Sequence, residues 1–234
     1  MNIKNLCIAH RGLHDENIPE NSMKAFKKAV SKNIPIEFDI HILKDKNIIV
    51  FHDDNLYRMT GIDKNIIDCT YNEIKNYNLK NTDEKIPLLS DVLKMVNGKV
   101  LLDIELKYDH KLYELEDELI KILANYDGDV ILKSFNYKTV KYLKKKTAYQ
   151  VGFLYADLDN PKKKISKFKK IIIRQINFNK ILKPDFLAVS KNAIFDKPIK
   201  RFNGPILVWT IKGKNEKDKF LMLADSVIYE EKEN

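Results

Sequence analysis

The chain has 234 residues, 44% of them hydrophobic, and a formal net charge of +9, so it is long enough for one large-cored domain spanning residues 1–234. It contains no run of eighteen apolar residues, no apolar signal core near Met1, and no Walker, G-x-S-x-G or G-x-G-x-x-G pattern. We therefore expect a cytoplasmic protein without stable membrane insertion, and we exclude nucleotide-dependent and serine-hydrolase chemistry.

Eight short apolar runs recur along the chain and predict strands. They are residues 6–9, 34–40, 100–105, 130–134, 150–154, 186–189, 206–210 and 226–229. Helical segments, for example 111–126, 137–146 and 216–223, separate most of them. Within the lysine-rich stretch 156–183, the isoleucine run 171–173 fits either a helix or an extra strand. The alternation indicates an α/β fold with a parallel sheet, and its strand number and length fit a TIM (β/α)₈ barrel.

The long connection after the second barrel strand, residues 54–98, is predicted to be a small helical insertion. Thr70 and Glu73 have the spacing of a capping box, and Ser90 stands where it could cap a further helix. These helix-start patterns favour an ordered segment over a disordered loop.

Two carboxylates lie close together in the second predicted strand. Glu37 and Asp39 are two residues apart, so their side chains point to the same face of a strand. The apolar run that contains them continues to Leu43, and the next run, 48–52, follows after only four residues, 44–47. That is too short for a parallel crossover and predicts a hairpin. A turn at the centre of that four-residue loop sets His52 directly opposite Asp39.

The third predicted strand carries another acidic face. Asp103, Glu105 and Lys107 alternate with leucine and isoleucine, and a charged inward face near the C-terminal ends of barrel strands marks an active site. Converging carboxylates require a cation to offset their repulsion. We predict that Glu37, Asp39 and Glu105 bind one divalent cation. Because these ligands are all oxygens, we expect Mg²⁺ or Ca²⁺, with Lys107 contacting phosphate.

Two histidines with charged neighbours are candidates for proton transfer. His10 precedes Arg11, and His52 precedes Asp53. Displacement at phosphorus needs both a proton acceptor and a proton donor, and imidazole titrates near neutral pH. We predict that His10 and His52 form this pair. The planar guanidinium of Arg11 is predicted to bind phosphoryl oxygens.

Several other polar residues have a structural alternative. Asn21 or Ser22 is placed to cap the following helix, and either capping or support of the site explains that segment. His14, His41 and His110 lack comparable neighbours, so we expect them to be surface or loop residues.

Short segments spread along nearly the whole chain form an ordered series. They include Ala9-His10-Arg11-Gly12, Pro19-Glu20-Asn21-Ser22, Glu37-Phe38-Asp39, Val50-Phe51-His52-Asp53, Glu105-Leu106-Lys107, Ser134-Phe135 and Val208-Trp209-Thr210. In this order they resemble the bacterial glycerophosphodiester phosphodiesterase family. The resemblance implies a TIM barrel with a small insertion after the second strand and one divalent cation. It also implies hydrolysis of glycerophosphodiesters to glycerol 3-phosphate and an alcohol, through a cyclic phosphate.

The same resemblance extends the site and also shows departures from the family pattern. Trp209 matches an aromatic residue at the barrel mouth, where it either lines the glycerol pocket or packs in the core. Lys212, Tyr229-Glu230, Ala224 and Ser226 differ from the usual family residues. Since these positions lie at the barrel rim, we expect them to affect the choice of substrate.

Two other functions remain open. One is a related phospholipase D-like barrel that acts on lysolipids and releases cyclic phosphates, and the other is a non-catalytic barrel that only binds phosphodiesters. The lysine runs 144–146 and 162–164 are compatible with nucleic acid or anionic lipid. Because aromatic interleaving and a nucleic-acid motif are both missing, we expect solvated helix faces and a small-molecule substrate without a nucleic-acid partner.

Overall fold

A closed parallel barrel forms the framework of the molecule. The computed structural model of the chain describes residues 3–108, 111–159 and 166–231. Within these ranges eight parallel strands close into a TIM barrel, because the first strand pairs with both the second and the last. The strands are β1 Cys7–His10, β2 Ile36–Ile42, β3 Ile48–Val50, β4 Leu102–Leu106, β5 Val130–Ser134, β6 Gln150–Tyr155, β7 Phe186–Ser190, β8 Ile206–Lys212 and β9 Ser226–Glu230. Each predicted apolar run overlaps one barrel strand, and β3 is an additional strand antiparallel to β2.

The helices follow the barrel strands and cover the outside of the sheet. They are α1 Met23–Ser31, α2 Tyr57–Thr60, α3 Tyr71–Ile74, α4 Leu89–Val96, α5 Glu114–Leu123, α6 Tyr137–Lys146, α7 Lys167–Gln175, α8 Phe178–Ile181, α9 Lys197–Lys200 and α10 Lys214–Leu221, with short 3₁₀ turns at Ile66–Asp68 and Lys191–Ala193. The isoleucine run 171–173 therefore belongs to a helix. His110 and the lysine run 162–164 lie outside the described residues. No helix in the described ranges combines the length and the apolar character needed to cross a membrane.

The hairpin between β2 and β3 differs by one residue from the predicted register. Ile40 pairs with Val50, so the turn is centred on a residue and not between two residues. The prediction that His52 stands directly opposite Asp39 is therefore wrong. The cause is the loop 43–47, which has five residues and not four, because β2 ends at Ile42, one residue before the predicted end at Leu43, while β3 begins at Ile48 as predicted.

The segment after β3 is an ordered insertion with a small core of its own. This core is fully or nearly fully buried and consists of Leu43, Ile49, Phe51, Leu56, Met59, Ile66, Cys69, Ile74, Leu79 and Ile86. The predicted capping box is present, since the Thr70 backbone N–H donates to Glu73 at 2.7 Å. The predicted cap at Ser90 is wrong: Leu88 is extended and bridges Ile49, so α4 begins at Leu89 and Ser90 lies inside its first turn.

One predicted surface histidine is buried in the sheet. His41 has no solvent exposure, and its Nε2 lies 3.3 Å from the backbone oxygen of His52. The expectation of a surface or loop residue is wrong because His41 lies within β2, all seven residues of which are buried. His14 lies in the loop after β1 and is half-buried.

Candidate active site

Three carboxylates converge inside the barrel, near the C-terminal ends of two neighbouring strands. β2 and β4 are parallel and hydrogen-bonded, and Asp39 is in register with Glu105. Glu37, Asp39 and Glu105 are 2%, 1% and 7% exposed. One oxygen from each carboxylate lies within 4.8 Å of the others. The structure therefore brings the three predicted metal ligands together.

Two cationic side chains contact this acidic cluster. The Lys107 ammonium lies 2.8 Å from Asp39 Oδ1 and 2.7 Å from Glu105 Oε1. Arg11 Nε, which has no hydrogen-bond partner among the described residues, lies 3.4 Å from Asp39 Oδ2. Burial alone would raise the pKa of Asp39, but Lys107 and Arg11 outweigh it and hold that pKa well below its usual range. Asp39 is therefore ionised at neutral pH.

A buried lysine below the cluster was not recognised from the sequence. Lys133 of β5 is 1% exposed, and its ammonium lies 2.7 Å from Asp103 and 3.1 Å from Glu37. Burial raises the pKa of Asp103 to about 7, against the opposing charge of Lys133. The signal in the sequence was a charged residue inside an otherwise apolar run, because a lysine facing the interior of a barrel requires buried partners.

Each candidate histidine has a carboxylate on its Nδ1 atom. His10 Nδ1 lies 2.8 Å from Glu230 Oε1, and His52 Nδ1 lies 2.6 Å from Asp53 Oδ1. Since a carboxylate only accepts hydrogen bonds, Nδ1 carries the proton in both rings, and Nε2 is left for proton exchange. His10 Nε2 lies 4.0 Å from Glu37. Sequence reasoning noted Glu230 only as a departure at the rim and missed this contact.

Burial and neighbouring charges set the ionisation of these pairs. Burial lowers the pKa of His52, although the charge of Asp39 opposes the effect. Burial would raise the pKa of Asp53, but hydrogen bonds from Arg58 and His52 outweigh it and hold the value at about 2. The hydrogen bond from His10 holds the pKa of Glu230 well below its usual range. Both supporting carboxylates therefore stay ionised while His52 is neutral at pH 7.

The loop after β1 supports the site through its backbone and an amide. Arg11 and Asn21 have φ values of 54° and 55°, in the left-handed region. This conformation directs the Arg11 backbone N–H to Glu37 at 3.2 Å, and Asn21 Nδ2 donates to Asp39 at 3.1 Å. Ser22 caps α1, since its hydroxyl accepts from the Ala25 N–H. Ser22 therefore caps the helix and Asn21 contacts the acidic cluster, so the capping and the site-support alternatives each describe one of the two residues.

A cavity of about 410 Å³ connects these groups. All eight predicted site residues line it, namely His10, Arg11, Glu37, Asp39, His52, Glu105, Lys107 and Trp209. The Trp209 ring packs edge-on against Phe135, with ring centroids 5.9 Å apart. Its buried Nε1 has no hydrogen-bond partner among the described residues. Trp209 thus both lines the cavity and packs on the core.

The donor set of the acidic cluster fits a hard divalent cation. Mg²⁺ and Ca²⁺ prefer carboxylate oxygens, and the cluster offers three buried carboxylates from rigid strands. Two of them already contact Lys107, which shows that the cluster needs positive charge. The cavity of about 410 Å³ also has space for the water and substrate oxygens that would complete the coordination of such an ion.

Comparisons with known proteins identify the family to which the chain belongs. The fold and site define a TIM-barrel enzyme with an acidic, histidine-flanked active site. The model of the glycerophosphoryl diester phosphodiesterase family matches residues 10–231. The chain therefore belongs to the glycerophosphoryl diester phosphodiesterase family, and its enzyme class is that of the phosphoric diester hydrolases.

Individual relatives and solved structures support the assignment. A glycerophosphodiester phosphodiesterase from Caldanaerobacter subterraneus is 29% identical, covering 99% of this chain and 96% of its own. A human lysophospholipase D is 34% identical over 57% of this chain and 46% of its own. An Oleispira antarctica phosphodiesterase, solved with the product sn-glycerol-3-phosphate, superposes with a TM-score of 0.79 at 22% identity, covering 97% and 93% of the two chains. The Thermotoga maritima glycerophosphodiester phosphodiesterase gives a TM-score of 0.73 at 25% identity, covering 97% and 96%.

Proposed function

We propose that this chain hydrolyses glycerophosphodiesters to sn-glycerol 3-phosphate and an alcohol, using one divalent cation, Mg²⁺ or Ca²⁺. The observation that carries the proposal is a single cavity lined by a three-carboxylate cluster and by two histidines, each with a carboxylate on its Nδ1 atom. The product bound to the Oleispira antarctica relative is the product expected here.

Proton transfer is assigned to His10 and His52. The neutral state of His52, which burial favours, is the state that a general base requires. His52 would accept the proton of the attacking hydroxyl through Nε2, because Asp53 fixes the proton on Nδ1. His10, held by Glu230 in the same way, would donate a proton to the leaving alcohol. The two roles exchange when water completes the reaction.

The attacking group is proposed to be the glycerol 2-hydroxyl. Its oxygen forms a bond to phosphorus while the bond from phosphorus to the leaving alcohol oxygen breaks, which gives a cyclic phosphate. Water then opens the ring to glycerol 3-phosphate. Both steps need one proton acceptor and one donor at the same phosphorus, which is what two histidines on one cavity provide.

Glu37, Asp39 and Glu105 would hold the cation, and Arg11 and Lys107 would contact the phosphoryl oxygens. When bound, the cation would polarise the phosphate and stabilise its developing charge. Four buried carboxylates, counting Asp103, face the ammonium groups of Lys107 and Lys133 in this region. A divalent ion would neutralise the remaining charge and so allow an anionic diester to enter.

The first test is substrate hydrolysis. Purified protein is incubated with glycerophosphocholine, glycerophosphoethanolamine and glycerophosphoglycerol in the presence of Mg²⁺, Ca²⁺ or EDTA, and glycerol 3-phosphate is measured. Release that depends on the metal supports the proposal, and the three rates rank the leaving groups. If folded, metal-bound protein hydrolyses none of the three diesters, the result contradicts the proposal. It would then favour a lipid diester as the substrate or a barrel that only binds phosphodiesters.

Variants separate the two roles within the site. We expect His10→Ala and His52→Ala to lose about 10²–10⁴-fold in turnover while retaining metal affinity. Glu37→Gln and Asp39→Asn are expected to weaken metal binding as well. Isothermal titration of Mg²⁺ and Ca²⁺ into each variant measures this directly. Unchanged affinity in both carboxylate variants would overturn the ligand assignment.

A lysolipid-cleaving phospholipase D is the second candidate, favoured by the surface beside the cavity. Tyr108, Leu112 and Tyr137 are 58%, 53% and 54% exposed, and with Phe135 they line a shallow groove. Tyr108 and Phe135 also line the pocket that includes His52. An acyl chain would find apolar contacts there. Product analysis on lysophosphatidylcholine distinguishes the two candidates. Only the phospholipase D candidate predicts that Tyr137→Ser lowers the turnover of lysophosphatidylcholine while the hydrolysis of glycerophosphocholine is unchanged.

A further inference from the structure

The far side of the His10 ring faces a second group of metal-ligating atoms. His10 Nδ1, His14 Nε2 and Glu230 Oε1 all lie within 4.8 Å of one another. Glu230 Oε1 is 2.8 Å from His10 Nδ1 and 4.0 Å from His14 Nε2. This group is separate from the acidic cluster. The other ring nitrogen of His10, Nε2, lies 4.0 Å from Glu37 of that cluster.

His14 has no role in the proposed reaction, but its side chain is directed toward this group. It is absent from the wall of the catalytic cavity. Its Nε2 is buried and has no hydrogen-bond partner among the described residues. An unsatisfied buried nitrogen beside a carboxylate is costly unless a third group binds it.

The remaining contacts of Glu230 leave one of its oxygens to this group. Lys212 pairs with the other oxygen of Glu230, Oε2, at 2.9 Å, so Oε1 is left to His10 and His14. The side chains of His10, His14 and Glu230 are 12%, 21% and 20% exposed. The three side chains are therefore partly exposed, although His14 Nε2 itself is buried.

We propose that His10, His14 and Glu230 form a transition-metal site of the zinc class, and that metal binding there inhibits the enzyme. Two imidazole nitrogens and one carboxylate oxygen are a ligand set that Zn²⁺ prefers. The all-oxygen cluster on the other side of His10 suits Mg²⁺ or Ca²⁺ instead. The chemistry of the two donor sets thus separates the two metals.

Inhibition follows from the shared histidine, and this step rests on the proposed function. Zn²⁺ replaces the Nδ1 proton of the protonated His10 ring, the form that would donate to the leaving alcohol: the Nδ1–H bond breaks, the proton leaves to solvent, and a metal–nitrogen bond forms at Nδ1. The ring then keeps its remaining proton on Nε2 and has no lone pair with which to accept another. His10 can no longer alternate between the protonated and neutral forms that acid/base catalysis requires.

Calorimetry tests the site without reference to catalysis. Zn²⁺ is titrated into Mg²⁺-saturated wild type, into His14→Gln, and into Glu16→Gln, an exposed control in the same loop. We expect one zinc site in wild type and in the control, with affinity reduced about tenfold or more in His14→Gln, which is at least the loss seen when a supporting group is removed. Equal affinity in wild type and His14→Gln would overturn the proposal.

Kinetics then test the consequence. In saturating Mg²⁺, we expect Zn²⁺ to inhibit wild type and the Glu16→Gln control, while His14→Gln keeps its basal activity and resists inhibition. Equal inhibition of all three proteins would place zinc at the acidic cluster and overturn the inhibitory site. If no diester is hydrolysed, the proposed function fails, whereas the calorimetry still decides whether the zinc site exists.

Discussion

Two carboxylate–imidazole pairs set the chemistry of the site at the level of single residues. Glu230 holds His10, and Asp53 holds His52. Each carboxylate also contacts a cation on its other side, Lys212 for Glu230 and Arg58 for Asp53. A carboxylate anchored in this way fixes both the tautomer and the orientation of the ring, so Nε2 is the nitrogen left for proton exchange in both histidines.

Removing the charge of Glu230 tests whether it orients His10. An amide can donate where the carboxylate only accepts, so Glu230→Gln allows the wrong tautomer of His10. We expect kcat to fall by about 10²-fold or more, the lower end of an acid/base contribution, with KM little changed. The pH profile of kcat should shift as well. Glu231→Gln, a change of the same kind at the exposed neighbouring position, is the matched control, and a similar loss of kcat in both variants would contradict the orienting role.

Lys133 is predicted to be essential for stability because its partners are buried. Lys133→Met leaves Asp103 and Glu37 without their cation, and breaking a buried ion pair costs about 3–5 kcal/mol. Urea denaturation monitored by circular dichroism measures the free energy of unfolding. The double variant Lys133→Met, Asp103→Leu should recover part of the loss, since an apolar pair can replace a buried ion pair. A single variant within about 1 kcal/mol of wild type would argue against this assignment.

At the level of elements, β2 and the insertion position most of the site. All seven residues of β2 are buried, since α-helices cover one face and the barrel interior covers the other. Its inward positions carry Glu37 and Asp39, while Ile36, Phe38 and Ile40 pack in the main core. The insertion uses its own core to hold Asp53 and Arg58 at the mouth.

The cap of α1 is predicted to stabilise both the helix and the loop that supports the site. Ser22 is fully buried; its hydroxyl donates to the Pro19 carbonyl at 2.7 Å and accepts from the Ala25 N–H at 3.2 Å. We expect Ser22→Ala to reduce the free energy of unfolding by about 1–2 kcal/mol. Ser31→Ala, at the exposed end of the same helix, should change it by no more than about 0.5 kcal/mol. Equal effects in the two variants would show that the cap contributes nothing.

At the level of the whole molecule, ion pairs around the cavity make stability depend on pH. Burial would raise the pKa of Glu20, but Arg58 and Arg11 outweigh it and hold the value at about 2. In the unfolded chain this pKa is about 4.3. Because the folded value is lower, the stabilisation is fully present above about pH 4.5 and is lost as the pH falls toward 2.

Acid titration of stability checks this link. Arg58 is 45% exposed, so we discount the effect for screening and expect a contribution of about 1–2 kcal/mol. The free energy of unfolding is measured by urea denaturation at pH 7, 5, 4 and 3. Between pH 7 and pH 3 it should fall by about 1–2 kcal/mol more in wild type than in Glu20→Gln. Parallel curves for the two proteins would mean that Glu20 is not stabilised by its arginines.

The sequence alone determined the eight barrel strands and the residues predicted for the centre of the candidate site. Strand periodicity located the eight barrel strands, and residue spacing on β2 and β4 placed three carboxylates on inward faces. These are local properties, since side-chain direction along a strand has a period of two. The histidines could be singled out for the same reason, because each has a charged neighbour in sequence.

Only the tertiary structure decided which distant residues complete the site. Glu230 reaches His10 across 220 positions because β9 pairs with β1 and closes the barrel. Lys133 meets Asp103 and Glu37 because neighbouring parallel strands set their depth in the interior. Barrel closure and register depend on long-range pairing, which local patterns do not encode. The same limit explains the hairpin error, where one extra loop residue shifted the pairing of β2 with β3.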